Sequence, residues 1–388
     1  MQEEADAFSL ERIVMQRIFH TPEGVRDTVG AECLVKREVE DRLHEVFASH
    51  GFMDIETPTF EYFEVFSNEV GTIASRELYK FFDRNNDTLV LRPDFTPSVA
   101  RACATYFHPD EEVVSLCYAG KAFINHPGYQ GRLKEATQMG VERMGEDSAE
   151  CDAELLAMTV ECLLAAGLSQ FQVSIGFVEY FKALLLEAGL PREDWAPLRE
   201  LISQKNFFGV EELVRERGLT GPAAEAISRL PEMFGGVEIL EKAKENQTSP
   251  RVLAAVERLE EIYRLLCIYG VEKYVSFDFG MLSKFEYYTG IIFQAYTYGS
   301  GEPLIKGGRY DNLLAHFGKE APAVGFVIVV DSLLLALERS GEVRKSPDSQ
   351  VITLTYDKKD SQKAIKEAIR LRREGKRVCL SQRKEGGL

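Results

Sequence analysis

The chain has 388 residues, 45% hydrophobic and 28% charged, and its 46 basic and 62 acidic side chains give a net charge of −16. The length and composition predict a folded protein of two or three domains. The negative net charge argues against extensive nucleic-acid binding. Seven cysteines without a CxxC pair indicate a reducing compartment and predict neither disulfides nor a zinc site. The acidic start lacks the apolar segment of a secretion signal, and Asp331 interrupts the most apolar tract. We therefore expect a cytoplasmic protein.

The first hundred residues predict one long helix followed by short strands. Apolar side chains recur at helical spacing over 31–50, and Gly51 ends the pattern. Residues 84–87 are turn formers between two β-rich runs, which predicts a hairpin. Thr96 and Pro97 then supply a cap and a first-turn proline for a second helix.

The rest of the chain predicts separated groups of strands with helices between them. Residues 112–123 and 137–145 resemble strands, whereas 177–270 are almost continuously helix-forming. Strands in separate groups favour an α+β fold, with an antiparallel sheet flanked by helices, over alternating βαβ units. We predict a core formed by residues 1–176 and 271–340, a helical insertion over 177–270, and a short β-α-β unit over 347–388.

Five segments follow one another in a recognisable order. They are TPEGVRD; GFMDIETPTFE, which contains Pro58; CYAGKAFINHPGYQGRLKEATQMGVE; FEYYTGIIFQAY followed by KGGRYDNLL; and AVGFVIVVDSLL. This series resembles the core of class II aminoacyl-tRNA synthetases, specifically the histidyl branch, over residues from about 20 to 338. The resemblance implies the antiparallel sheet of that family. Residues 347–388 resemble the opening of its anticodon-binding domain, and a chain ending at Leu388 would lack most of the surface for an anticodon.

The resemblance also shows where the chain departs from the family. Three arginines that surround ATP in the family correspond here to Ile124, Ser283 and Ser332. Guanidinium groups suit the charge that grows on the α-phosphate because each can hold two oxygens. Lys284 is adjacent to Ser283, but neighbouring strand residues face opposite sides of a sheet. Losing one such donor costs on the order of a hundredfold to a thousandfold in rate, so we predict that the chain has no catalytic residues and cannot form an adenylate.

By contrast, the residues that would bind histidine are largely present. The resemblance implies a candidate histidine-binding set of Asp94, Thr96, Arg132, Gln138, Glu142, Tyr287 and Tyr288. Within this set, Asp94 and Thr96 would hold the α-amino group, with aspartate in place of the usual glutamate. The two tyrosines would line the imidazole. Arg309 also matches a family arginine, although the resemblance does not assign it a role.

Each member of the candidate set also has a purely structural interpretation. Asp94 is placed to cap the helix that begins near Thr96. The tyrosines are typical strand residues, and Gln138 and Glu142 are compatible with a solvated strand edge. Arg132 suits an exposed loop. The alternative hypothesis is that these residues only hold the fold and that histidine binds elsewhere in a complex.

A retained amino-acid pocket without phosphate-binding arginines resembles the regulatory subunits that accompany short-form ATP phosphoribosyltransferases in some bacteria. Two further segments, LYKFFDRNNDTLVLRPDFTPS and YYTGIIFQAYTYGSGEPLIKGGRYDNLL, are similar to that family. The resemblance implies a non-catalytic subunit in the first step of histidine biosynthesis. It also implies a homodimer within a hetero-oligomer with the catalytic subunit, and L-histidine as an effector. We predict no cofactor, no metal, no tRNA and no membrane partner. The alternatives are a divergent histidyl-tRNA synthetase and a related ligase with another acceptor.

Overall fold

The computed structural model describes residues 19–67, 73–126, 132–282, 288–342 and 351–383. Its helices are α1 Ala31–Ser49, α2 Thr96–Tyr106, α3 Ala149–Ala166, α4 Val178–Glu187, α5 Trp195–Ser203, α6 Phe207–Glu216, α7 Pro222–Arg229, α8 Glu238–Lys244, α9 Pro250–Tyr269, α10 Val330–Ser340 and α11 Ser361–Arg373. Its strands are β1 Met53–Asp54, β2 Phe60–Tyr62, β3 Lys80–Phe82, β4 Thr88–Leu91, β5 Val114–Phe123, β6 Glu135–Met144, β7 Gln172–Phe177, β8 Phe234–Gly235, β9 Val275–Asp278, β10 Ile291–Tyr296, β11 Ile305–Arg309, β12 Ala323–Val329, β13 Ile352–Tyr356 and β14 Val378–Gln382.

A nine-stranded sheet forms the centre of the molecule, in the order β1-β5-β6-β12-β11-β10-β7-β9-β8. Neighbouring strands are antiparallel except for the pairs β1–β5 and β7–β9. A second sheet, β2-β4-β3, contains the hairpin predicted around residues 84–87, with Asn86 at a φ of 65° in its turn. The predicted α+β class is confirmed, and the parallel pairs make the central sheet mixed near its edges.

The two faces of the central sheet are covered differently. Helices α1 and α3 pack on one face, where Leu43, Leu155 and Val141 belong to a continuous core. The opposite face carries a smaller core that includes Val99 of α2 and Tyr310. Each fully buried leucine or valine contributes about 1.5–3 kcal/mol relative to exposure, so the larger core dominates stability. The smaller core leaves room for polar side chains.

Residues 178–269 form helices α4 to α9 and the short strand β8. Helix α9 begins with Pro250 in its first turn and ends at Gly270, whose φ of 73° is typical of a helix C-terminus. Strand β8 pairs with β9 and thereby extends the central sheet. The segment is helical as predicted apart from this strand, and its separation as an inserted domain stays a prediction.

The C-terminal unit is β13-α11-β14, with its two strands parallel and in register from Ile352–Val378 to Tyr356–Gln382. Parallel neighbours need a crossover, which α11 supplies. The predicted β-α-β unit is therefore confirmed. Among all the helices described, none combines the length and apolar character needed to cross a membrane.

Candidate functional site

One face of β6 carries the central residues of the candidate site. Gln138, Gly140 and Glu142 alternate along the strand, so their side-chain positions share a face. Tyr118 of β5 is the register partner of Gly140, and Gly325 of β12 is the partner of Glu142. A Cβ at Gly325 would lie 1.8 Å from Glu142 Oε2, and one at Gly140 would lie 2.4 Å from the Tyr118 hydroxyl. These two glycines therefore make space for the polar side chains above them.

The Glu142 carboxyl group is the most deeply buried acid of the site, with the residue 1% exposed. Thr96 Oγ1 donates to its Oε1 at 2.6 Å, the Tyr118 hydroxyl lies 3.5 Å from the same oxygen, and the Tyr310 hydroxyl donates to Oε2. Burial raises the pKa of Glu142 to about 8, although the hydrogen bonds from Thr96 and Tyr310 oppose the shift. No cation in the described part of the chain pairs with it. The carboxyl group is thus a buried acceptor that a cationic ligand would favour in its charged form.

Asp94 and Thr96 lie together at the start of α2. The Thr96 backbone N–H donates to Asp94 Oδ1 at 2.7 Å, so Asp94 satisfies a helix N-terminal donor as its structural interpretation requires. The charge of Asp94 also raises the pKa of both Glu142 and Tyr118, which places it in the same electrostatic environment. Asp94 lies close enough to act on Glu142 electrostatically, and a bound ammonium group would favour the ionised form of the Glu142 carboxyl group.

Gln138 presents an unsatisfied acceptor on the same face. The residue is 8% exposed, and its Oε1 is buried without a hydrogen-bond partner among the described residues. An unpaired buried acceptor costs about 1–3 kcal/mol, and a ligand N–H would satisfy it. The glutamine therefore points to a bound donor more directly than to a solvated strand edge.

Tyr288 is half-buried beside the smaller core, and a Cβ at Gly308 would lie 2.6 Å from its ring. Its neighbour Tyr287 lies outside the described residues, so the predicted tyrosine pair is described for one member only.

An aromatic stack missed from the sequence supports the site. The Arg92 guanidinium lies 3.9 Å from the centre of the Phe95 ring, and Phe95 stacks on Tyr118 at 4.4 Å and 7°. Arg92 Nη1 donates to the Thr57 carbonyl at 2.7 Å, and its Nε donates to the Lys121 carbonyl at 2.8 Å. Arg92 is therefore used to hold the backbone near the site. Its position two residues before Asp94 was the available signal.

The structure does not bring Arg132 or Arg309 to Glu142. Arg132 is exposed and forms an ion pair with Glu302. Arg309 is buried, and its Nε and Nη2 donate to Asp152 Oδ1 at 2.9 and 2.6 Å. Arg309 therefore links β11 to α3, and the described contacts of Arg132 are those of a loop residue.

Two of the three positions predicted to have lost arginines are described. Ile124 is half-buried, and its backbone N–H donates to the Lys134 carbonyl at 2.9 Å. Ser332 is half-buried in α10, beside Asp331, which pairs with Lys36 at 2.7 Å. Both positions thus hold uncharged side chains, whereas Ser283 lies outside the described residues.

One group of potential metal ligands lies away from this site. His44 Nε2 is 2.8 Å from Asp54 Oδ1, and the Cys117 Sγ is 3.7 Å from the same oxygen. Burial raises the pKa of the Cys117 thiol to about 12, which disfavours the thiolate that a metal needs. His44 and Asp54 are already hydrogen-bonded to each other. The absence of a metal site stays a prediction.

Comparison with known proteins finds related sequences that align with most of the chain. Residues 24–333 match the family model described as histidyl-tRNA synthetase. A Ruminiclostridium cellulolyticum protein named ATP phosphoribosyltransferase regulatory subunit is 40% identical over 361 residues, covering 92% of this chain and 85% of that protein. An Acetivibrio thermocellus protein of the same name is 39% identical over 367 residues, covering 95% of this chain and 85% of that protein.

A solved structure from Bacillus halodurans, described as an ATP phosphoribosyltransferase regulatory subunit/histidyl-tRNA synthetase, is 32% identical with a TM-score of 0.84. It covers 94% of this chain and 93% of that chain. This likeness confirms the class II synthetase-like fold that the sequence motifs predicted. The chain belongs to the family of ATP phosphoribosyltransferase regulatory subunits, within the wider group that the histidyl-tRNA synthetase model describes.

Proposed function

We propose that this chain is a non-catalytic subunit that binds a short-form catalytic ATP phosphoribosyltransferase, is required for the first step of histidine biosynthesis, and mediates feedback inhibition by histidine. The names of its relatives support the partner and the pathway. The candidate site supports the effector.

The buried Glu142 carboxyl group is the observation that carries the histidine proposal. It accepts hydrogen bonds from Thr96 and Tyr310 but has no cationic partner among the described residues. Gln138 adds a buried acceptor without a partner on the same strand face. Histidine offers an ammonium group and an imidazole N–H, which are the donors that these two acceptors need.

The side chains at the old phosphate positions support the loss of catalysis. Ile124 and Ser332 cannot hold the oxygens of ATP as guanidinium groups do. Arg92 and Arg309 are buried and already occupied by backbone carbonyls and Asp152, respectively. We therefore propose that histidine binds without being activated.

Histidine-dependent exchange between ATP and pyrophosphate tests the absence of activation. The purified chain should show no exchange above background, whereas exchange at ordinary synthetase rates would overturn the proposal in favour of a divergent synthetase.

Assembly tests the partner. Mixed with a short-form catalytic subunit, the chain should elute with it in gel filtration and raise its phosphoribosyltransferase rate. Independent elution of the two proteins at micromolar concentration, with an unchanged rate, would contradict the assignment.

Calorimetry of histidine binding tests the pocket. Glu142→Gln should weaken binding roughly tenfold to a hundredfold, in line with about 1–3 kcal/mol for unpairing a buried polar group. Glu187→Gln, which removes an exposed carboxylate from the end of α4, is the matched control and should bind as the unmodified chain does. Equal affinities for the two variants would move the histidine site elsewhere.

We also propose a homodimer within the hetero-oligomer. Phe60, Tyr62 and Phe81 share one face of the sheet β2-β4-β3 through their register with β4, and all three are exposed. Exposed aromatic side chains grouped on one face are typical of protein–protein contacts. Sedimentation velocity should give a dimer mass for the isolated chain, and Phe60→Lys with Tyr62→Lys should shift it towards the monomer.

A further inference from the structure

A cavity of about 570 Å³ lies between α4, α9 and the segment that enters α5. Its lining residues all lie between positions 177 and 255 of the sequence, so Glu142 is not among them. Its volume falls within the roughly 300–1,000 Å³ typical of small-molecule sites. Alanines at 183, 254 and 255 line it, and their small side chains leave the space open. Neither the proposed histidine binding nor the loss of adenylation chemistry uses this cavity.

Trp195 gives the cavity a flat wall of fixed orientation. Its indole Nε1 donates to the Leu190 carbonyl at 3.0 Å, which holds the ring in place. The Arg192 guanidinium lies over the ring, 4.9 Å from its centre, so a cation contacts one aromatic face. A ligand with a planar ring can stack on this wall while its charged group meets the arginine.

The rim of the cavity is positive in a chain whose net charge is −16. Lys182, Arg192 and Arg251 line it together with a single carboxylate, Glu179, which pairs with Lys182 at 3.1 Å. Three cations and one carboxylate leave a charge of +2. Arg251 also lies in the first turn of α9, where Ser249 forms no side-chain cap and no acidic residue is present. The positive end of that helix therefore adds to the potential for an anion.

We propose that this cavity binds a nucleoside monophosphate, with the base stacked on Trp195 and the phosphate held by Arg192 and Arg251. A phosphate monoester carries about −1.5 to −2 charges at pH 7, which matches the rim better than a single carboxylate does. Guanidinium groups are also the side chains best suited to paired phosphate oxygens. The lining of the cavity includes neither Ile124 nor Ser332, the positions at which the family resemblance predicts lost ATP-binding arginines.

Fluorescence provides a direct test because Trp195 is the single tryptophan of the chain. At constant ionic strength, adenosine 5′-monophosphate should change the emission saturably, and adenosine or inorganic phosphate alone should bind at least tenfold more weakly. No saturable change up to millimolar nucleotide, with no heat in calorimetry, would overturn the proposal. If inorganic phosphate bound as tightly as the nucleotide, the proposal that the site recognises a nucleoside would be wrong.

Two variants locate the binding. Arg251→Ala removes a rim cation, and Ala254→Phe fills the cavity from an exposed helix position, so neither change disturbs the core. Each should weaken nucleotide binding tenfold or more, with an unchanged far-ultraviolet circular dichroism spectrum. Arg215→Ala on α6, an exposed arginine paired with Glu212, is the control and should bind as before. If both cavity variants bound the nucleotide as tightly as the unmodified chain does, the nucleotide would bind elsewhere and the proposal would be overturned.

Discussion

Glu142 and Gly325 are register partners on β6 and β12, and the Glu142 carboxylate occupies the position that a side chain at residue 325 would need. Gly325→Ala would put a methyl group 1.8 Å from Glu142 Oε2, which must move away from its donors. We expect a loss of about 1–3 kcal/mol in the free energy of unfolding, typical of overpacking, together with weaker histidine binding. Urea denaturation and calorimetry measure the two effects.

Gly301→Ala provides the control, because a Cβ at that position meets nothing within 4 Å. It should leave both measurements unchanged. Equal behaviour of the two alanine variants would show that the glycine does not position Glu142.

The buried Glu142 makes stability depend on pH. Its folded-state pKa of about 8 lies above the ordinary 4.5, so the native state holds this proton more tightly than the unfolded chain does. The contribution of this group therefore falls as pH rises from about 4.5 to about 8, by at most roughly 1.4 kcal/mol per pKa unit. Glu142→Gln lacks the titration and should gain stability relative to the unmodified chain over that range. Urea denaturation at pH 5, 7 and 9 checks this, and a constant difference would contradict it.

Local patterns in the sequence were enough to predict the elements around the site. The turn at 84–87 and a helix that begins at Thr96 with Pro97 in its first turn depend on residues close in sequence, and both are confirmed. The predicted cap is wrong: Phe95 is the N-cap residue, and the Thr96 hydroxyl donates to Glu142. The strand predicted over 137–145 is also confirmed, and alternation along β6 places Gln138 and Glu142 on one face. Their closeness to Asp94 came from family resemblance, since spacing alone cannot bring separate elements together.

The remaining parts of the site depend on contacts between distant segments. Tyr310 donates to Glu142 across 168 residues of sequence, and no periodicity reports such a contact. The insertion of β12 between β6 and β11 creates it, and strand order is not encoded in any one strand. For the same reason the sequence does not reveal the ion pair between Arg132 and Glu302, and the membership of Arg132 in the histidine-binding set stays a prediction.

The link between Arg309 and Asp152 should carry a large share of local stability. Asp152 is 1% exposed and also accepts from Arg258 Nη2 at 2.9 Å. Asp152→Ala would leave the buried Arg309 without its main partner, at a cost of about 3–5 kcal/mol. Glu212→Ala, which breaks an exposed pair with Arg215, should cost less than about 1 kcal/mol. Urea denaturation of both variants checks the contrast, and a small loss for Asp152→Ala would show that Arg309 finds another partner.

His50, just after α1, should give the fold a second dependence on pH. Its Nδ1 lies 3.0 Å from Glu154 Oε1, and its Nε2 lies 2.8 Å from Glu161 Oε2. A neutral imidazole can donate from only one nitrogen, so two carboxylate partners favour the imidazolium. The hydrogen bond with Glu154 raises the pKa of His50, and the same bond lowers the pKa of Glu154 to about 2.

Because the folded-state pKa of His50 is raised, its contribution is fully present below pH 6.5 and is lost as pH rises through that higher value. His50→Gln should therefore cost about 1–3 kcal/mol at pH 6 and less at pH 9, as measured by urea denaturation. His44→Gln is the control, since His44 and its partner Asp54 are largely exposed, and it should cost little at either pH. If the cost of His50→Gln did not change with pH, the imidazole would stabilise the fold through packing. The proposed charged hydrogen bonds to Glu154 and Glu161 would then be wrong.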